Sequence, residues 1–172
     1  MSRNASNNES YFVTLTVINW MDVFTRRLYN DFMIENLSYC CRHKGLYVHA
    51  YVLMTNHLHM IAHVDEGILG DVLRDFKTYT SKQLLRLIAD NPQESRKEWM
   101  MAAFRQAGQD NVLNKHYQLW QNGNYPVLIY SPEILQQKIN YIHQNPVRAG
   151  FVGSAHEYWY SSANPESPLK LG

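Results

Sequence analysis

The residues best suited to chemistry lie in two short stretches. The first, YVLMTNHLHMIAHV from Tyr51 to Val64, holds His57-Leu58-His59 between two apolar runs. If His57 opens a strand, side chains alternate faces, so His57 and His59 point one way and Leu58 the other. Two imidazoles on one face make half a metal site, and imidazole serves zinc, copper, iron, nickel or manganese according to its partner ligands. The second stretch follows Ser131-Pro132-Glu133, where a hydroxyl N-cap, a proline at the first helical position and an acid at the positive end of the dipole begin a helix. On it Lys138, Tyr141 and Asn145 recur at steps of three and four, a quarter turn from the apolar stripe Leu135, Ile139 and Ile142. That face offers a phenol, an amide and a cation. The structural readings of the same residues are two polar groups on a half-wet sheet face, a half-buried aromatic and a helix-end asparagine.

The rest of the chain reads as the frame that must position these groups. Tyr11 to Ile18, YFVTLTVI, is β-branched and aromatic and predicts a strand buried on both faces. From Arg26 to about Arg42, apolar residues mostly three or four apart mark a helix, which His43-Lys44-Gly45 ends. Leu46 to Met54 and His57 to Val64 form a hairpin through the tight Thr55-Asn56 turn. A long second helix follows from Ile68 to about Ala89, with Arg74, Lys77, Lys82 and Arg86 on its polar face, which by base rates reads as a solvated face. A weaker helix spans Glu94 to Ala107, His116 to Leu119 and Pro126 to Tyr130 are short extended stretches, and Pro146 is expected to stop the Ser131 helix at about Gln144. This order predicts an α+β fold, close to a ferredoxin-like layout, with helices packed on one face of an antiparallel sheet.

At 172 residues the chain has the length of one domain, with its core over about residues 11 to 163 and mobile ends. A hydrophobic fraction of 45% and a charged fraction of 18% are ordinary for a folded soluble protein. No apolar segment approaches the roughly 18 residues of a membrane helix. The polar start MSRNASNNES and the adjacent Cys40 and Cys41, unsuited to a disulfide framework, lead to the expectation of a cytoplasmic protein. A formal net charge of +1 argues against coating duplex DNA by bulk electrostatics, but twelve of the sixteen Lys and Arg residues lie between Arg26 and Lys115, which permits a local basic face.

Taken together, the motifs bear a specific resemblance. His57-Leu58-His59 resembles the HUH motif (histidine, bulky hydrophobic, histidine) of single-tyrosine transposases. Lys138 to Val152, KINYIHQNPVRAGFV, resembles the C-terminal tyrosine helix of the REP-associated (RAYT-type) branch of that family. Met54-Thr55-Asn56-His57, Phe76-Lys77 and Leu119-Trp120-Gln121 resemble further family segments, so that the match runs from about Tyr11 to Ala163. The resemblance implies a single-strand DNA nickase and strand transferase. Tyr141 would be the nucleophile, and His57, His59 and Asn145 would hold a divalent ion, magnesium or manganese. Asparagine at 145, where the insertion-sequence branch has glutamine, resembles the REP-associated branch. Arg74, Lys77, Lys82, Arg86, Lys138 and Arg148 would then contact single-stranded or hairpin DNA. The resemblance leaves open a monomer or a homodimer.

Other readings stay in competition. A relative that binds folded DNA repeats without cutting would keep the fold. A zinc hydrolase would need a third ligand, and His63, four residues from His59 and roughly 13 Å away at strand rise, is too distant to share one ion. Tyr79 is a rival nucleophile without a neighbouring ligand candidate. Trp120, Tyr125 and Trp159 are candidate base-stacking platforms whose alternative role is packing in the core or at its rim.

Overall fold

A computed structural model describes residues 8–113 and 116–171. The expectation of a mobile N-terminus falls on residues 1–7, outside the described residues. Among the described residues four strands, β1 (Tyr11–Thr16), β2 (Leu46–Leu53), β3 (His57–Val64) and β4 (Val127–Leu128), form one antiparallel sheet in the order β2-β3-β1-β4. The helices are α1 (Arg27–His43), α2 (Leu69–Asp90), α3 (Lys97–Asp110) and α4 (Pro132–Arg148). The strand order and the β1-α1-β2-β3-α2-β4 succession are those of the expected ferredoxin-like layout.

Alternation along the two central strands divides the core. Tyr11, Val13 and Leu15 of β1, with Leu58, Met60, Ala62 and Val64 of β3, pack against Met33 and Leu37 of α1 and Leu73, Phe76 and Leu84 of α2. Met100 and Phe104 of α3 join the same cluster. The opposite face carries Phe12 of β1 and Ile61 of β3, and Ile142, Leu135 and Ile139 of α4 pack there with Ala50 and Val52 of β2. Only α1 to α3 therefore lie on the face expected for all the helices. The tyrosine helix crosses to the other face because its own apolar stripe needs a surface and the first face is already filled. That placement puts α4 on the side to which His57 and His59 point.

Local details follow from residue chemistry. Met54 N–H donates to the His57 carbonyl at 2.8 Å, closing the hairpin around Thr55-Asn56. His49 is left out of register between Val48↔Ala62 and Ala50↔Ile61, a bulge that moves Tyr51 and Leu53 onto the α1–α2 face. Ser131 Oγ accepts from Ile134 N–H at 3.2 Å, the anticipated cap. Pro146 does not stop α4 as anticipated: it sits buried in the last turn, where its missing N–H removes one bond, and Ala149 N–H still reaches the Asn145 carbonyl at 3.0 Å. His116 to Leu119 forms no strand; the pairing there is a single bridge between Val17 and Trp120.

The C-terminal segment also departs from expectation. Leu53 N–H donates to the Tyr160 carbonyl, Ser162 N–H to that of Tyr51, and Leu169 is buried in the main core. A polar stretch is held here because β2 would otherwise present an unpaired edge. Among the described residues no helix is long and apolar enough to cross a membrane.

Candidate active site

His57 and His59 stand on one face of β3 as alternation requires, with ring centroids 4.5 Å apart. Each is oriented through Nδ1. His57 Nδ1 lies 2.6 Å from Asn56 Oδ1, and Asn56 is itself fixed because its Nδ2 donates to the Trp20 carbonyl and to Asp22 Oδ1, each at 3.3 Å. Thr55 Oγ1 donates to the same Asp22 oxygen at 2.7 Å. With Oδ1 as acceptor, His57 carries its proton on Nδ1 and presents the Nε2 lone pair. His59 Nδ1 pairs with Thr14 Oγ1 at 2.9 Å, a contact set by the Thr14↔His59 register of β1 and β3. Burial depresses the His57 imidazolium to about 4. Burial, then the nearby His57, Arg148 and Lys138, depresses His59 to about 3. Both imidazoles are neutral at neutral pH, the form that ligates metal.

Tyr141 arrives from α4. Its ring meets His59 edge-on at 5.4 Å and Phe12 edge-on at 5.8 Å, while Phe12 stacks on His59 at 5.2 Å. The Arg148 guanidinium lies 4.5 Å over the Tyr141 ring and donates to the Tyr141 carbonyl at 2.9 Å. The Lys138 ammonium sits 4.7 Å from the Phe12 ring centre and 5.8 Å from that of Tyr141. Tyr141 remains 43% exposed, so an outside molecule can reach it. Asn145 follows one turn later, half-buried, with its side chain in no hydrogen bond among the described residues. Two residues predicted far apart in sequence, His59 and Tyr141, are thus brought into ring contact.

The other predicted groups divide. Arg74 is ion-paired to Asp71 at 2.9 Å and Asp75 at 3.2 Å. Lys77 donates to the carbonyls of Gln121 at 2.8 Å and Gly123 at 3.1 Å, and burial lowers its ammonium to about 8. Lys82 and Arg86 are exposed. Arg74, Lys77, Ser81, Lys82, Gln121 and Asn124 help line a groove of about 490 Å³. The groove adjoins the histidines through β1, because Thr14 N–H donates to the Asn124 carbonyl at 2.9 Å while its hydroxyl meets His59. Trp120 is buried, with Nε1 donating to Thr80 Oγ1 at 3.1 Å, and is no stacking platform; Tyr125 and Trp159 are exposed.

Tyr79 lies on α2, across the sheet from the imidazoles. His63 turns to His49, 2.8 Å between ring nitrogens, and stacks on Tyr47. Among the described residues no three His, Cys, Asp or Glu side chains form a metal cluster, so an ion here would rest on two imidazoles and an amide. Sequence reasoning missed Thr14, Asn56, Asp22 and Phe12. Asn56 could have been found from its adjacency to His57, and Thr14 from strand register, whereas Asp22 had no local signal.

No protein-family model matches the chain, and no curated protein matches it. A solved structure of a REP-associated tyrosine transposase bound to a REP hairpin shares the fold, with a TM-score of 0.64 and 16% sequence identity over 100% of this chain and 90% of that one.

Proposed function

We propose that this protein is a single-strand DNA nickase and strand transferase that acts on a DNA hairpin, with Tyr141 as nucleophile. The observation that carries the reading is the edge-on approach of Tyr141 to His59, beside two neutral imidazoles whose Nδ1 atoms are already engaged. The hairpin bound by the structural neighbour supports the substrate class.

The donor set suits a divalent ion. His57 and His59 would hold the ion from one strand face and the Asn145 amide oxygen would complete the set, a mixture of imidazole and carbonyl donors that fits manganese better than magnesium, which prefers oxygen ligands. When bound, the ion would supply Lewis-acid stabilisation of the scissile phosphate.

The chain's own residues do the rest. Tyr141 Oη attacks phosphorus; the Oη–P bond forms and the P–O3′ bond breaks. The 3′ oxygen keeps the electron pair and takes a proton, and the phenolic proton passes to solvent. The product is a 5′-phosphotyrosine and a free 3′-hydroxyl, and reversal onto another 3′-hydroxyl completes transfer. Lys138 and Arg148, whose charged groups both lie close to the Tyr141 ring, would steady the phosphate charge as it develops. Lys82 offers a phosphate contact in the α2 groove and the exposed Arg86 a further one on the same helix, while Lys77 acts on DNA through the 121–123 loop it holds.

The test is a denaturing-gel assay with end-labelled hairpin DNA, manganese or EDTA, and Tyr141→Phe. A metal-dependent covalent adduct absent in the variant is expected. An adduct retained in Tyr141→Phe would refute the assignment of the nucleophile, and native-gel shifts without any adduct would favour a non-cutting repeat-binding protein.

A further inference from the structure

We infer that Trp20 is a stacking platform for the nucleobase on the 5′ side of the scissile phosphate. Trp20 follows β1 in a 3-10 turn, Ile18–Trp20, and is 59% exposed although it is among the largest apolar side chains in the protein. Among the described residues the indole joins neither hydrophobic cluster. Its backbone is nevertheless costly to hold: Asn19 and Trp20 are consecutive non-glycine residues in the left-handed region, at φ 55° and 53°. Strain of this kind persists where surrounding contacts over-determine it, and it clusters at functional sites. The contacts here are those that orient His57. Asn56 Nδ2 donates to the Trp20 carbonyl and to Asp22, while Asn56 Oδ1 meets His57 Nδ1. One amide therefore fixes both the imidazole and the turn that displays the indole.

Position assigns the base. The Trp20 ring stands edge-on to His57 at 6.0 Å, His57 meets His59 at 4.5 Å, and His59 meets Tyr141 at 5.4 Å. The histidine pair thus lies between Trp20 and Tyr141 in this succession of ring contacts. The inference rests on the proposed nicking by Tyr141. In an in-line displacement the leaving oxygen departs on the side away from the attacker. With the phosphate at the histidines and Tyr141 attacking from one end, the departing 3′ oxygen and its nucleoside lie at the Trp20 end. An exposed indole is well suited to such a base, since every nucleobase offers a π face.

The test uses the full chain and hairpin oligonucleotides, with the nicked bond first mapped from the wild-type adduct. An abasic residue is then placed immediately 5′ or immediately 3′ of that phosphate, and affinity is measured in the Tyr141→Phe background so that the substrate is not consumed. Trp20→Ala is expected to weaken binding of intact DNA about 5- to 100-fold, with Trp20→Phe recovering most of it. The 5′ abasic site should cost the Trp20-containing protein the same factor and Trp20→Ala nothing further, whereas the 3′ abasic site costs both alike. Equal binding by Trp20→Ala, or additive losses from the variant and the 5′ abasic site, overturns the platform. Should Trp20→Ala prove unfolded by circular dichroism, the 5′ against 3′ abasic comparison in Trp20-containing protein decides by itself: equal losses at the two positions overturn the platform. If the wild type forms no adduct with any hairpin, the nicking reading fails and the platform with it; adducts with no Trp20 effect sink the platform alone.

Discussion

At the scale of single residues, the candidate site is a set of neutral imidazoles with a phenol alongside. Burial favours the neutral form of His57 and His59, so their ring lone pairs do not depend on a mildly alkaline medium. We predict that His57→Ala and His59→Ala each abolish metal-dependent adduct formation while the thermal unfolding transition persists. Loss of cooperative unfolding in both variants would mean that the histidines serve the core. The groups behind them should matter less but measurably. Asn56→Ala and Thr14→Val are expected to weaken manganese binding about 10- to 100-fold, because orientation of a ligating imidazole is worth that much. Manganese titration followed by calorimetry would read the effect, and unchanged affinity would show that the Nδ1 contacts do not prepare the ligands.

At the scale of elements, the decisive one is α4, which brings Tyr141 to histidines carried by a different element. Ile142 is fully buried against the sheet, and Ile142→Ala should destabilise the fold by about 2–5 kcal/mol, as large-to-small core changes do. The histidines belong to β3, so the variant should retain metal affinity while adduct formation slows. A parallel fall in both would mean that α4 also shapes the histidine pair. Ser131→Ala should cost about 1 kcal/mol through loss of the cap, read as a lowered midpoint in urea. Much of α4 was legible beforehand: its cap, its stripe and the shared face of Lys138, Tyr141 and Asn145 follow from helical spacing. Its end was not, because a proline in the last turn forfeits one hydrogen bond that packing of its buried ring can offset.

At the scale of the whole molecule, Glu94 ties the α2–α3 connection to the start of α1. Its side chain is fully buried and accepts from Arg26, Arg96 and Tyr29. Hydrogen bonds from Arg96 foremost, against the opposing effect of burial, hold the carboxyl near 2, below its ordinary 4.5. A carboxyl depressed on folding stabilises the native state above the ordinary value, and that contribution is lost as pH falls from about 4.5 towards 2. We predict that Glu94→Gln removes this acid-dependent part of stability and costs about 3–5 kcal/mol at neutral pH. Parallel stability profiles of the two proteins between pH 5 and pH 2, on the order of the window set by linkage, would contradict it.

Local rules, which need only neighbours along the chain, determined the strands, the helices and the pairing of His57 with His59 on one face. The period of two in β3 and of three to four in α4 follows from backbone geometry and holds before any tertiary contact exists. Which groups meet across the fold depends on how distant segments pack, and no local spacing encodes it. Packing brought Tyr141 to His59, set Thr14 and Asn56 behind the imidazoles, and left Tyr79 across the sheet. Packing also buried Trp120, committed Lys77 to the 121–123 loop and drew Leu169 into the core, since apolar stripes and unpaired strand edges take whatever partners the whole chain can supply.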